Sequence, residues 1–150
     1  PLTPLCADLR QRDALPAGAF QLAVSNPPYF APHTGVVAEG VRGDARAELT
    51  ASLDDVFAAA KRLLQWGGRF CLVYRPERLA ALMAAAAAHG LEAKRLRMVQ
   101  HTAQSAPSLL LLECRRGGKP GLSVEPPLLL HLPDGGESPD VRRAYFRDKE

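Results

Sequence analysis

Cysteine is scarce. The 150 residues hold three, Cys6, Cys71 and Cys114, odd in number and outside any C-x-x-C spacing. That argues against a disulfide framework or a structural zinc site and fits a reducing, cytoplasmic setting. No apolar run approaches the ~20 residues that a membrane-spanning helix needs, so no membrane partner is expected. Pro1 to Arg12 lacks an apolar stretch after a basic start, and no secretory signal is expected there. No two glycines stand in G-x-G spacing, and Gly67-Gly68 precedes an apolar stretch instead of following one; it reads as a turn, not a phosphate or cofactor cradle. His33, His89, His101 and His131 have no cysteine or acid at ligand spacing, so no metal is expected. There are no repeats.

What is present is ordinary in bulk. Apolar residues make up 47% and charged residues 23%, the proportions of one globular domain or part of one. The net charge of +3 is too small to announce nucleic acid. Its distribution says more. From Lys94 to Lys119 lie Lys94, Arg95, Arg97, Arg115, Arg116 and Lys119 against one acid, Glu113. That stretch reads either as a basic patch for phosphate or as strand-end charges facing water.

The apolar pattern predicts a strand over 20–25, stopped by Asn26-Pro27-Pro28, then a loop through Gly43. A helix follows, capped by Thr50 or Ser52, with Leu53, Val56, Phe57, Ala60, Leu63 and Leu64 on one face and Gly67-Gly68 at its end. Arg69 to Tyr74 reads as a second strand. Arg75-Pro76 opens another helix, striped by Leu79, Leu82, Met83 and Ala86 and stopped by Gly90. Leu91 to Gln100 and Leu109 to Cys114 are further strands, with a short last one at Leu128 to Leu132. Helices alternating with apolar strands predict an α/β fold with a mostly parallel sheet. The link from Gln100 to Leu109 is too short for a helical crossover, so the fourth strand should run antiparallel.

Asn26-Pro27-Pro28-Tyr29 carries the chemistry. It sits at the carboxyl end of a predicted strand, where open α/β sheets bind ligands; a proline-stiffened turn is the plainer reading. An amino nitrogen conjugated to an aromatic ring is a poor nucleophile because its lone pair is delocalised. An asparagine side-chain oxygen and the Pro27 carbonyl can both accept its N–H bonds and free the lone pair for an incoming methyl group. The prolines aim both acceptors in advance. Tyr29, with Phe30 as a second wall, offers a stacking platform for a planar base.

Ser25-Asn26-Pro27-Pro28-Tyr29-Phe30 resembles motif IV of amino-group methyltransferases that use S-adenosylmethionine. Ala45-Arg46-Ala47-Glu48-Leu49-Thr50, Gly67-Gly68-Arg69-Phe70, Arg75-Pro76-Glu77-Arg78-Leu79, Lys94-Arg95-Leu96-Arg97 and Pro126-Pro127-Leu128, in that order, resemble the bacterial tRNA (adenine-N6)-methyltransferase family. That family acts on an adenine beside the anticodon of a valine tRNA. The resemblance implies a Rossmann-like class I methyltransferase sheet, of which residues 1–150 form the carboxyl-terminal part. The cofactor-binding strands and glycine-rich turn would lie upstream, the chain alone would be incomplete as an enzyme, and an exposed sheet edge could support self-association. It also implies S-adenosylmethionine as cofactor, tRNA as partner, Asn26, Pro27, Pro28 and Tyr29 as catalytic residues, and Asp8 and Asn26 at the cofactor. Phe30, Arg46, Lys94, Arg95 and Arg97 would face the substrate. Two alternatives remain: a glutamine methyltransferase of release factors, which uses the same four residues on an amide, and a non-catalytic RNA-binding remnant.

Overall fold

The computed structural model describes residues 3–27 and 51–147. They form β1 (Phe20–Ser25), α1 (Leu53–Leu63), β2 (Leu64–Tyr74), a single 3-10 turn (Pro76–Arg78), α2 (Leu79–Ala88), β3 (Leu91–Gln100), β4 (Pro107–Arg116), β5 (Ser123–Leu129) and α3 (Pro139–Ala144). None of these helices is long and apolar enough to cross a membrane.

Local chemistry sets the ends of α1 and α2. Ser52 closes a capping box. Its hydroxyl accepts from the Asp55 N–H at 3.1 Å, and the Asp55 carboxylate accepts from the Ser52 N–H at 2.8 Å. Two first-turn acids, Asp54 and Asp55, suit the positive end of the helix dipole. The helix ends sooner than its glycines suggest. Leu64 is already extended and fully buried, and it pairs with Phe20 of β1, so β2 starts there. Gly67-Gly68 lies inside β2, across a register shift between Phe20↔Leu64 and Leu22↔Arg69, and Gly67 takes a φ of +79° that a side chain would resist. Strand pairing overrides the glycine stop signal. At the far end of α2, His89 reaches back to Asp54 of α1 at 2.7 Å, joining the two helices.

The five strands make one sheet in the order β1-β2-β4-β3-β5. β1 pairs parallel with β2 and β3 parallel with β5, while β4 runs antiparallel between β2 and β3. The antiparallel fourth strand is as its short link predicts. The last strand lies earlier than expected, at Ser123–Leu129, and holds Pro126 and Pro127. An edge strand tolerates prolines because its outer N–H groups have no ladder to complete. α3, capped by the buried Ser138, has no counterpart in the sequence reading.

One sheet face carries the core. Phe70, Leu72 and Tyr74 of β2, Leu110, Leu112 and Cys114 of β4, and Leu91 and Leu96 of β3 pack against Val56, Phe57 and Ala60 of α1 and Leu82 and Ala86 of α2. Phe57 meets Phe70 edge to face, with ring centroids 5.3 Å apart. Burying these side chains is the main force holding the fold.

Candidate functional site at the carboxyl edge of the sheet

Because β1, β2, β3 and β5 all point the same way, their carboxyl ends share one edge of the sheet. Asn26 and Pro27 leave β1 there. Ser25 is still in register with Leu72, so the Asn26 side chain stands one residue beyond a hydrogen-bonded ladder. Asn26 is exposed and Pro27 is buried. A buried proline anchors the backbone without leaving an N–H unpaired, which suits a carbonyl acceptor held in a fixed direction. Pro28, Tyr29, Phe30 and Arg46 lie outside the described residues.

The same edge gathers side chains that the sequence reading passed over. Arg75 follows β2, and its Nη1 donates to the Ser108 carbonyl at the start of β4, 3.4 Å away. Arg78 sits in the next turn with its Nε buried and unpartnered among the described residues. His101 follows β3, and His131 lies just past β5. Arg75 and His101 were recoverable from their positions directly after predicted strands, whereas His131 was not, because the last strand was expected at Leu128–Leu132 and ends at Leu129 instead. By sequence alone the histidines invite only the question of metal ligation. Among the described residues no three His, Cys, Asp or Glu side chains cluster for a metal.

Asp8 is placed by Arg10. The Arg10 Nε donates to Asp8 Oδ1 at 2.9 Å and Oδ2 at 3.1 Å, and Nη2 donates to Oδ2 at 2.6 Å. These side-chain bonds, and then the bond from the Arg10 backbone N–H, hold the Asp8 carboxyl down at about 2, against an ordinary value of 3.8. The segment around it is pinned to α1, because Arg62 donates to the carbonyls of Leu9 and Arg12. Asp8 is therefore ionised and exposed, on a strap along α1.

The basic stretch is engaged within the sheet. Lys94 Nζ donates to the Lys119 carbonyl at 3.0 Å. Arg95 bonds Glu125 at 2.7 Å and Glu113 at 3.1 Å. Arg97 donates to the Pro126 carbonyl at 2.9 Å and pairs with Asp140 of α3. Arg115 and Arg116 donate to the carbonyls of Gly67 and Leu64. The acids that meet Arg95 and Arg97 come mostly from β5 and α3, outside the Lys94–Lys119 stretch, so a count along the chain misses them. Arg95 and Arg97 line a cavity of about 280 Å³ on the face away from the helices, together with Val24, Cys71, Val73 and Leu111. Its cations are already paired, which leaves little free charge for a phosphate.

No protein-family model matches the chain. Over 100 residues the chain is 35% identical to tRNA1(Val) (adenine(37)-N6)-methyltransferase of Dickeya chrysanthemi strain Ech1591. The chain is a homologue of the bacterial tRNA (adenine-N6)-methyltransferases. The match takes in 67% of this chain and 39% of that relative. Its fold is the class I methyltransferase fold. A structure from Agrobacterium tumefaciens, assigned by inference as an O-methyltransferase, superposes with a TM-score of 0.67 at 21% identity, covering 91% of this chain and 56% of that one. A Thermus thermophilus protein, assigned by inference as a DNA modification methylase and solved with S-adenosyl-L-methionine, gives a TM-score of 0.52 at 21% identity, over 76% of this chain and 54% of its own. The chain thus spans well under two thirds of these relatives' lengths.

Proposed function

We propose that the chain serves S-adenosylmethionine-dependent methyl transfer to the exocyclic amino group of an adenine in tRNA. The observation that supports this most is Asn26-Pro27 at the carboxyl end of a parallel strand in a methyltransferase fold. The name of the Dickeya relative points to adenine N6 and to a valine tRNA.

S-adenosylmethionine supplies a methyl carbon made electrophilic by its sulfonium. Of the two residues assigned to its recognition, Asn26 is exposed at the strand end, and Asp8 is ionised at neutral pH with both carboxylate oxygens held by Arg10, a pairing that a donor on the cofactor would have to share or displace. The target adenine is turned out of its stack. Its amino group donates one N–H to the Asn26 side-chain oxygen and one to the Pro27 carbonyl. Both acceptors are fixed beforehand and need no reorganisation. The nitrogen lone pair is thereby directed out of conjugation and toward the methyl carbon. With the cofactor bound, the nitrogen would take the methyl group as the S–C bond breaks and would then lose one proton to solvent. The roles proposed for Pro28, Tyr29, Phe30 and Arg46 are to stiffen the turn, to stack on the ring and to contact the substrate.

Transfer of a tritiated methyl group from S-adenosylmethionine to unmodified tRNA, with release factor as the parallel acceptor, tests this reading. Label should appear in tRNA as N6-methyladenosine. Asn26→Ala should lower the rate by about 100- to 1,000-fold, the loss seen when one preorganised polar group at a reacting centre is removed. Label in release factor, or an unimpaired Asn26→Ala variant, would overturn it.

A further inference from the structure

We propose that His101 and His131 form a stacking site for an unpaired nucleobase of the RNA, away from the base that is methylated. This rests on the tRNA reading above and adds a contact to it.

The two imidazoles are parallel within 4°, with centroids 6.3 Å apart. Both are exposed. They do not serve the core, and among the described residues their rings have no partner but each other. His89 shows the contrast, because its ring is taken by Asp54. The nearest acid along the chain, Asp134, accepts from the Gly136 N–H at 2.9 Å, and Glu137, which bridges His131 through the backbone, gives its carboxylate to Arg147.

The pair is also held on a rigid frame. Leu130 N–H donates to the Gln100 carbonyl at 2.8 Å and His131 N–H to the His101 carbonyl at 2.9 Å, so the ladder between β3 and β5 runs on into the histidines. On one side the Thr102–Ser105 turn is closed by bonds of 2.9 Å between Ser105 Oγ and Thr102. On the other, Ser138 N–H returns to the Leu130 carbonyl at 3.1 Å. Exposed aromatic faces fixed in advance lose little entropy when a base settles on them. Histidine is among the side chains on which unstacked RNA bases lie.

Position favours RNA over a small molecule. Asn26 is level with Val73, which pairs across Leu111 with Arg97 of β3. From Asn26, His101 is three strand steps across, about 14 Å, and four residues further along, about 13 Å, with His131 one strand beyond it. The target adenine at Asn26 does not reach that far, whereas the loop carrying it does. Arg75 lies between the two on the same edge.

Binding of a synthetic RNA hairpin with an adenine-containing single-stranded loop, followed by fluorescence anisotropy, tests the proposal. A fully paired duplex of the same charge is the control. The double variant His101→Ala/His131→Ala should bind the hairpin about 10-fold more weakly, within the range for one lost base stack, and the duplex unchanged. His101→Phe/His131→Phe should restore the hairpin affinity, because the ring faces return without the titratable nitrogens. Thermal unfolding should be unaffected, since both rings are exposed. Equal hairpin affinity of the alanine variant and the parent, equal losses on hairpin and duplex, or failure of the phenylalanine variant to rescue would each overturn the stacking site alone. No hairpin binding by the parent would remove the tRNA reading and this site together.

Discussion

Along β2 the side chains alternate between two environments. Phe70, Leu72 and Tyr74 are buried beneath α1 and α2, while Cys71 and Val73 line the open cavity on the other face. The same split runs through β4, with Leu110, Leu112 and Cys114 inside and Leu111 and Glu113 opposite. On β1 it is sharper still: Ala23 packs toward the core, whereas Leu22 is 46% and Val24 72% exposed. Both faces are rich in apolar residues, so composition does not tell them apart. Chain path does. β1-α1-β2 and β2-α2-β3 both step across the sheet in the same direction, and crossovers between parallel strands are right-handed almost without exception. Two crossovers of one hand and one direction put both helices on one side. The opposite face is left with an apolar side at β1 and β2 and an ion-paired side at β3 and β5.

Thiol chemistry should show the largest contrast. Cys114 belongs to the helix-covered core, and burial pushes its thiol up to about 12 from an ordinary 9.0, which leaves about a thousandfold less thiolate. Cys71, on the open face, is raised by partial burial and then by the nearby Glu113 carboxylate. Cys6 is exposed. Labelling with a thiol reagent at mildly alkaline pH should modify Cys6 first, Cys71 more slowly, and Cys114 only on unfolding. Rapid labelling of Cys114 in the folded protein would break the distinction between the faces.

Stability should follow the same division. Phe57→Ala removes a fully buried ring from the covered face and should cost about 3–5 kcal/mol in urea unfolding. Ser52→Ala loses a helix cap beside that face and should cost about 1 kcal/mol. It should also flatten the acid limb. Hydrogen bonds from the Ser52 side chain and then its backbone lower the Asp55 carboxyl below 3.8, so its contribution is present above that value and is lost as pH falls through the lowered one. Urea midpoints of parent and variant should converge at low pH. Val24→Thr, on the open face, should shift stability by less than about 0.5 kcal/mol, and a larger loss would mean that this face is packed in solution.

Much of this was legible in the residues. The Ser52 cap, the stripes of α1 and α2 and the apolar strands carry their own local periods, and these survive folding because nothing non-local opposes them. Asn26-Pro27 at a strand end was equally readable, since the strand and its stop are neighbours in sequence. Pairing between distant segments was not. The end of α1 was misplaced because Leu64 is claimed by Phe20 of β1, and the ion pairs of the basic stretch were invisible because Glu125 and Asp140 arrive from later elements. His101 and His131, thirty residues apart, become a pair only through the parallel ladder of β3 and β5.

The sequence by itself therefore determined the order and kind of most elements, the antiparallel fourth strand and the place of Asn26-Pro27 at a strand end, because each depends on residues within a few positions of one another. Only the tertiary structure decided which sheet face is covered, which arginines are already paired, and which residues share the carboxyl edge with Asn26. Those are properties of neighbours across the sheet, set by strand order and crossover hand.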